Sequence, residues 1–354
     1  MTQYIIRRLL MMPVILLGVT ILIFAMISIL GPSQRVALYI TDIPKNEKEM
    51  DVLIERYGLN DPFPVQYWRW LAGRKNTVTG EYDGGIIRGN FGYSRSASQN
   101  VVDLIKRRFP ATVELALAAV VPIIVIGIWL GVIAARNHNK PIDQAARVFS
   151  IIGYSFPTFV FALLVLMILY AKLQWFPPGR MSIWAQLATN KPDFVWHTGM
   201  LTVDALLNGR FDIFLDALRH LILPVISLSY LNWALYLRVT RSSMLETLRQ
   251  DYVTTARAKG VAERKVINKH AIPNALIPVV TLGGLTVAGL LSGVVITETI
   301  FDFPGIGSAA ARAAQQLDVI TVLSFTLMTG GILILANLVV DVAYAFLDPR
   351  VRLS

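Results

Sequence analysis

The sequence predicts an all-α, polytopic membrane protein with six transmembrane helices and long external loops. Three observations carry that prediction. Hydrophobic residues make up 55% of the 354 and charged residues only 16%, against roughly 25% charged in a soluble domain. Mean hydropathy is +0.55, so the apolar residues exceed what one buried core could hide. They also gather into six runs of about the length a bilayer core demands, roughly 20 residues each. The absence of cysteine excludes a disulfide scaffold, thiolate chemistry and Cys-based metal sites.

The first run, 9–30, follows Arg7 and Arg8 as the h-region of a signal peptide would. It is longer than the roughly 7–15 residues of such a region and no A-x-A-like site follows, so it reads as a retained helix. Next come 113–135 and 148–171, the latter with Pro157 a few residues inside. The fourth, 221–237, is short and interrupted by Pro224; 274–296 and 319–347 complete the set. Lys and Arg orient them. With both termini inside, the cytoplasmic segments 1–8, 136–147, 238–271 and 348–354 carry +2, +2, +5 and +1. The external segments 31–110, 175–219 and 301–318 carry +3, 0 and −1. A long external loop can be basic, because long loops translocate largely regardless of charge.

The chain therefore divides into 1–110, an N-terminal helix plus external segment, and a core at 111–348. In the first segment Asn46 and Glu49 make a capping box and Gly58 a helix stop. Tyr67, Trp68 and Trp70 cluster before Gly73, and Asp83-Gly84 reads as a tight turn. The segment 175–219 carries Trp175, Trp184 and Trp196, which read first as an interfacial belt and second as a docking feature.

No constellation for chemistry emerges. His138, His197, His220 and His270 lack metal-ligand spacing, and there is no G-x-S-x-G elbow. With no G-x-x-x-x-G-K-[ST] loop to cradle phosphate, nucleotide hydrolysis is not expected of this chain. Gly283 and Gly284 lie in an apolar helix, and Gly289-x-x-x-Gly293 beyond them is a small-residue pattern for helix packing. Asn337 and Asp341 share a helical face near a membrane end, where an anchoring role is preferred to a functional one. Ser227, Ser229 and Asn232 read either as a polar path or as partners of carbonyls freed by Pro224.

The specific signal is SMLETLRQDYVTTARAKGVAERKVINKHAIP at 243–273. Leu245, Leu248, Tyr252 and Ala256 make a narrow apolar stripe that Gly260 ends. Ala262, Val266, Ile267 and Ala271 begin a second stripe, stopped at Pro273. Two short helices joined at a glycine between two spans form a compact knob suited to a partner's groove, whereas an ordinary basic loop would simply be solvated.

Thr254-Thr255-Ala256-x-x-x-Gly260, nine further residues, and His270-x-Ile272-Pro273 together resemble the EAA loop of ABC-importer permeases, E-A-A-x-x-x-G-x9-I-x-L-P. Thr254 and Thr255 replace the Glu and first Ala, and His270 and Ile272 the Ile and Leu. The dipeptide/oligopeptide branch has DYVxTARAKG, which stands here at 251–260. FPATVELAL at 109–117, ARVFSIIGYSFPTF at 146–159, LRHLILPVISL at 218–228 and ETIFDFPGIG at 298–307 are similar to that branch too.

The resemblance implies a type I ABC importer permease fold in a bacterial or archaeal inner membrane. It implies a homologous second permease, two ATPase subunits that hold the ATP and Mg, and an extracytoplasmic solute-binding protein, with no cofactor or nucleic acid on this chain. It assigns ATPase coupling to Tyr252, Thr255, Ala256, Ala258, Lys259, Gly260 and Val261. Peptides are the expected cargo; nickel, glutathione or an oligosaccharide are alternatives within the class. A proton-coupled carrier is disfavoured by the missing cluster of buried ionisable groups in the apolar runs and by the knob.

Overall fold

The computed structural model describes residues 2–36, 46–75, 82–83 and 85–347, and the side chains of 10–36, 46–73 and 85–339. Gly84 and the side chain of Asp341, both singled out above, lie outside these. The chain forms two compact units, one of residues 2–109 with 305–334 and one of 110–304 with 335 onward.

The first unit opens with the helix Thr2–Ser28. Glu47–Tyr57 begins where the sequence places it: the Asn46 side chain accepts a hydrogen bond from the Glu49 N–H at 2.9 Å, and Gly58 ends the helix at φ 61°. The following helix, Phe63–Ala72, is seated on the first by aromatics. Phe24 lies 5.4 Å from Phe63, 5.7 Å from Tyr67 and 5.4 Å from Trp70, centroid to centroid, contacts of about 0.5–1.5 kcal/mol each beyond their area. Tyr67 also shares a 2.9 Å hydrogen bond with Thr20, whereas Trp68 points away and is exposed. Two short antiparallel pairs depart from the all-α expectation: Arg74–Lys75 with Tyr82–Asp83, and Tyr93–Ser94 with Gln99–Asn100. Asp83 pairs in a ladder opposite Arg74, and the expected turn at Asp83-Gly84 falls partly outside the described residues.

The second hairpin is pinned by one acid. Asp318 is 2% exposed, and its carboxylate accepts from Ser94 Oγ, Ser96 N–H and Ser96 Oγ, each at 2.9 Å, and from Thr321 Oγ1 at 2.7 Å. Burial alone would raise its pKa; the Ser96 N–H and the three hydroxyls outweigh it and hold the carboxyl below its ordinary value.

In the second unit the organising element is the helix Phe211–Thr247, 37 residues long. It packs on the upper part of Val101–Arg136 through two glycines. A Cβ at Gly127 would fall 2.4 Å from Tyr236 Cβ, and one at Gly131 would fall 2.5 Å from Thr240 Cβ. Pro141–Ser155 approaches the other side at Gly153, where a Cβ would lie 2.7 Å from Ala234 Cβ. The packing motif is thus Gly127-x-x-x-Gly131. Gly289, expected in this role, has nothing within 4 Å of its Cβ position, and Gly293 lies beyond the helix Ile277–Leu291 at φ 99°.

Among the described residues three helical stretches are long and apolar enough to cross a membrane: Leu10–Ser28, Val101–Arg136 and Val319–Val339. The count rises to five if each of two bent pairs is one span, where the sequence predicts six. The third predicted span is not one straight helix. Pro157 has no N–H to continue the ladder and forces Phe156 into extended backbone (φ −84°, ψ 125°), so Pro141–Ser155 and Thr158–Lys172 meet at 103°. The fifth bends by 50° between Glu263–Ala275 and Ile277–Leu291. Phe211–Thr247, which contains the predicted fourth span, is about 55 Å long and is not one of these, and Asp216, His220, Ser227, Ser229 and Thr240 are buried along it.

Two outcomes follow for stability. Gly127→Ala and Gly131→Ala should each cost about 1–3 kcal/mol, the usual range for overpacking, and lower the thermal midpoint of the detergent-solubilised chain, while Gly289→Ala leaves it unchanged. Asp318→Asn should cost roughly 1.5–3 kcal/mol, the value of hydrogen bonds to a charged group. Because the folded-state pKa is depressed, this stability is present above the unfolded carboxylate pKa and is lost as pH falls through the folded value. Thermal melts of wild type and variant should therefore converge on acidification.

Candidate functional site

The knob at 248–275 is built by a helix that stops and restarts. Gln250, extended at φ −72° and ψ 149°, separates Phe211–Thr247 from the short helix Asp251–Ala258. The short helix ends at Gly260, φ 74°. There the Gly260 N–H donates to the Arg257 carbonyl at 2.9 Å and the Val261 N–H to the Ala256 carbonyl at 3.2 Å, the paired bonds of a Schellman cap. Glu263–Lys265 follows, then a π-helical turn, Val266–Ala271, in which the Ile272 N–H reaches back to Ile267. This wide turn leads into Ile272–Ala275, where Pro273 has no donor to offer.

The knob has its own small core. Val253, Ala256 and Val266 are buried together, with Leu248 and Val261 packed against them. Outside that core Arg257 forks onto Glu263, Nε to Oε2 at 3.1 Å and Nη2 to Oε1 at 2.8 Å, bracing the segments on either side of Gly260. The guanidinium holds the Glu263 carboxyl below its ordinary pKa. The pair is about half exposed, so its direct contribution is within about 1 kcal/mol. Ile267, Ala271 and Ala275 join Met244 and Ala135, tying the knob to the ends of two long helices.

A second tie lies close by in the chain. The fully buried carboxylate of Asp143 accepts from Arg241 Nε at 2.5 Å and Nη2 at 2.8 Å, and from the Asn139 N–H at 3.0 Å. It joins the start of Pro141–Ser155 to Phe211–Thr247. Removing one partner of such a buried pair costs about 3–5 kcal/mol.

The seven residues singled out by sequence divide into two groups. Tyr252, Thr255, Ala258, Lys259 and Gly260 are exposed. Ala256 is 9% exposed and faces the knob's own core, and Val261 is half-buried beside it. The predicted stripe through Leu245, Leu248, Tyr252 and Ala256 assumed one unbroken helix; the restart at Gln250 rotates the face, so that Val253 is buried and Tyr252 exposed. Val253, the Arg257–Glu263 fork and Asp143–Arg241 were not anticipated. Glu263 six residues after Arg257 was the available signal, legible only once Gly260 is known to fold the chain back.

Two family models match the chain. Residues 127–353 match the binding-protein-dependent transport system inner membrane component, and residues 1–116 match the N-terminal membrane component of such systems. The chain belongs to this permease family. It is 37% identical to an oligopeptide transport system permease protein of Bacillus subtilis, over 99% of this chain and 100% of that one. It is also 37% identical to a di/tripeptide transport system permease protein of Pseudomonas aeruginosa, over 99% of each. A dipeptide permease of Escherichia coli K12 is 34% identical over the same share. The permease is thus an inner-membrane transport component and not an enzyme.

Gly260 gives the knob a specific test. A Cβ there would meet nothing within 4 Å, so substitution is penalised through the backbone alone. Gly260→Val should cost about 1–3 kcal/mol and loosen the knob, read as faster amide exchange at Val253 to Ala256. Gly260→Asn, which tolerates positive φ, should retain most of the protection.

Proposed function

We propose that this permease carries peptides across the cytoplasmic membrane as one half of a translocation pathway. The other half is a homologous permease, substrate is delivered by an extracytoplasmic binding protein, and two separate ATPase subunits holding ATP and Mg supply the work. Six spans, with both termini and the knob in the cytosol, fit the distribution of Lys and Arg. The observation that carries this reading is the knob itself: a braced, glycine-capped pair of short segments that exposes Tyr252, Thr255, Ala258 and Lys259, in a chain whose full-length relatives are named as peptide permeases.

The ATPase-facing surface comprises Tyr252, Thr255, Ala258, Lys259 and Gly260, with Ala256 and Val261 supporting it from beneath. ATPase closure pushes this face, and the push reaches Phe211–Thr247 through the Met244, Ile267 and Ala271 contacts. Discrete rigid-body shifts of this kind are how packed helices transmit a signal.

Ala258→Glu places a charge on the exposed face without touching the knob core. It should leave permease abundance in the membrane unchanged, while ATPase co-purification or ATP-driven uptake of a labelled dipeptide falls at least several-fold. Wild-type coupling in this variant and in Tyr252→Ala would remove the role from this face. Uptake by the chain alone, driven by a pH gradient without ATPase, would replace the whole reading with that of a secondary carrier.

A further inference from the structure

The segment between the π-helical turn Leu166–Lys172 and the helix Phe211–Thr247 is an ordered cap with its own interior. Two short helices, Ile183–Thr189 and Leu201–Leu207, enclose Ala185, Phe194, Leu201 and Ala205 against Ile213 and Ala217. Three carboxylates turn inward, while Asp212 and Arg219 at the start of the long helix stay exposed. Asp216 takes the Ser182 N–H at 2.8 Å and hydroxyl at 2.5 Å. Asp204 takes the N–H groups of Thr198 and Gly199 at 2.9 and 2.8 Å. Glu114, 4% exposed, takes Arg180 Nη2 at 2.6 Å and the Thr202 N–H at 2.6 Å, which fastens the cap to Val101–Arg136.

The outside is the reverse. On Ile183–Thr189 the buried Ala185 and Thr189 sit opposite Ile183, Trp184 and Leu187, all exposed. On the next helix Leu206 and Leu207 are exposed while Asp204 is buried. At the start of Phe211–Thr247 the face at i, i+4, i+7 is Phe211, Leu215 and Leu218, all exposed, and the opposite face holds Asp216 and His220, both buried. A water-facing cap would have the opposite arrangement, with carboxylates out and leucines in.

We propose that this cap is an interfacial, lipid-embedded element, lying in the headgroup and acyl boundary of the leaflet on its side of the membrane. Lipid is the occupant because the apolar face is continuous with surfaces that must meet lipid. At its beginning it continues from Leu163, Met167 and Tyr170 of the bent span through Trp175. At its end, Phe211, Leu215 and Leu218 run down the same helix toward the apolar stretch at 221–237. Trp175, Trp184 and Trp196 are all partly exposed, the residue type that favours this depth. The exposed Lys191 and Asp193, and Asp212 and Arg219 beside the apolar face, mark where the cap reaches headgroups and water.

The inference rests on the membrane-spanning reading above, so its test carries a separate control. The chain has no cysteine, and single cysteines at Leu187, Leu206, Lys191 and Leu163 can each carry a nitroxide in the assembled transporter, reconstituted in phospholipid nanodiscs. Collision rates with oxygen, which partitions into lipid, and with a water-soluble nickel chelate are then compared. The expected result is that 187 and 206 resemble 163, with oxygen several-fold favoured, while 191 favours nickel. If 187 and 206 follow 191, the cap faces water and serves a soluble partner or none. If they are immobilised and shielded from both reagents, a protein covers them. Either result overturns the proposal while 163 preserves the span; nickel access at 163 as well would overturn both.

Discussion

The second unit depends on how closely one helix can approach another. Phe211–Thr247 meets Gly127 and Gly131 so tightly that no side chain fits between, and Gly153 lets Pro141–Ser155 come equally near on another side. In lipid, where apolar burial offers no advantage over acyl chains, such approach supplies the packing that holds helices together. It is reinforced by polar bonds: Ser150 Oγ donates to the Ala234 carbonyl at 3.0 Å, and Asp143 takes the Arg241 guanidinium. The knob is attached to the end of this same helix, close along it to the glycine contacts.

Much of this was legible in the sequence where the signal is local. The Asn46 cap and the Gly58 stop depend only on neighbours a few residues away, and both form as read. So does the positive φ at Gly260. Long-range choices were not legible. Gly289-x-x-x-Gly293 and Gly127-x-x-x-Gly131 look alike on paper, and only the position of Tyr236 and Thr240 separates the packing pair from the idle one. The predicted third span fits the hydropathy of 148–171, which carries no information about a 103° turn; the cue was Pro157 and its effect on Phe156.

The site shows the same division. Composition, the missing phosphate loop and the EAA-like stretch pointed to the correct family, and the knob lies where the motif places it. Which of its faces is inner was misread at Tyr252, which is exposed where Val253 is buried, because helical periodicity does not survive a break such as Gln250. The segment 175–219 was the least legible part. Its outward leucines and inward carboxylates give no hydropathy signal that distinguishes a cap from a loop, since averaging along the chain cancels what the helix faces separate.

The glycine contacts also fix a mechanical ratio. Taken as a pivot near residue 238, they divide Phe211–Thr247 into a short arm of about 13 Å toward Thr247 and a long arm of about 40 Å toward Phe211, at 1.5 Å per residue. A sideways displacement of about 1 Å at the knob end becomes about 3 Å at the cap end. Pro224, which lacks the backbone donor, is the point in the long arm where some of that swing is absorbed as bending. A lever of this proportion would trade force for reach: a small displacement at the knob end would become a threefold larger one at the far end of the helix.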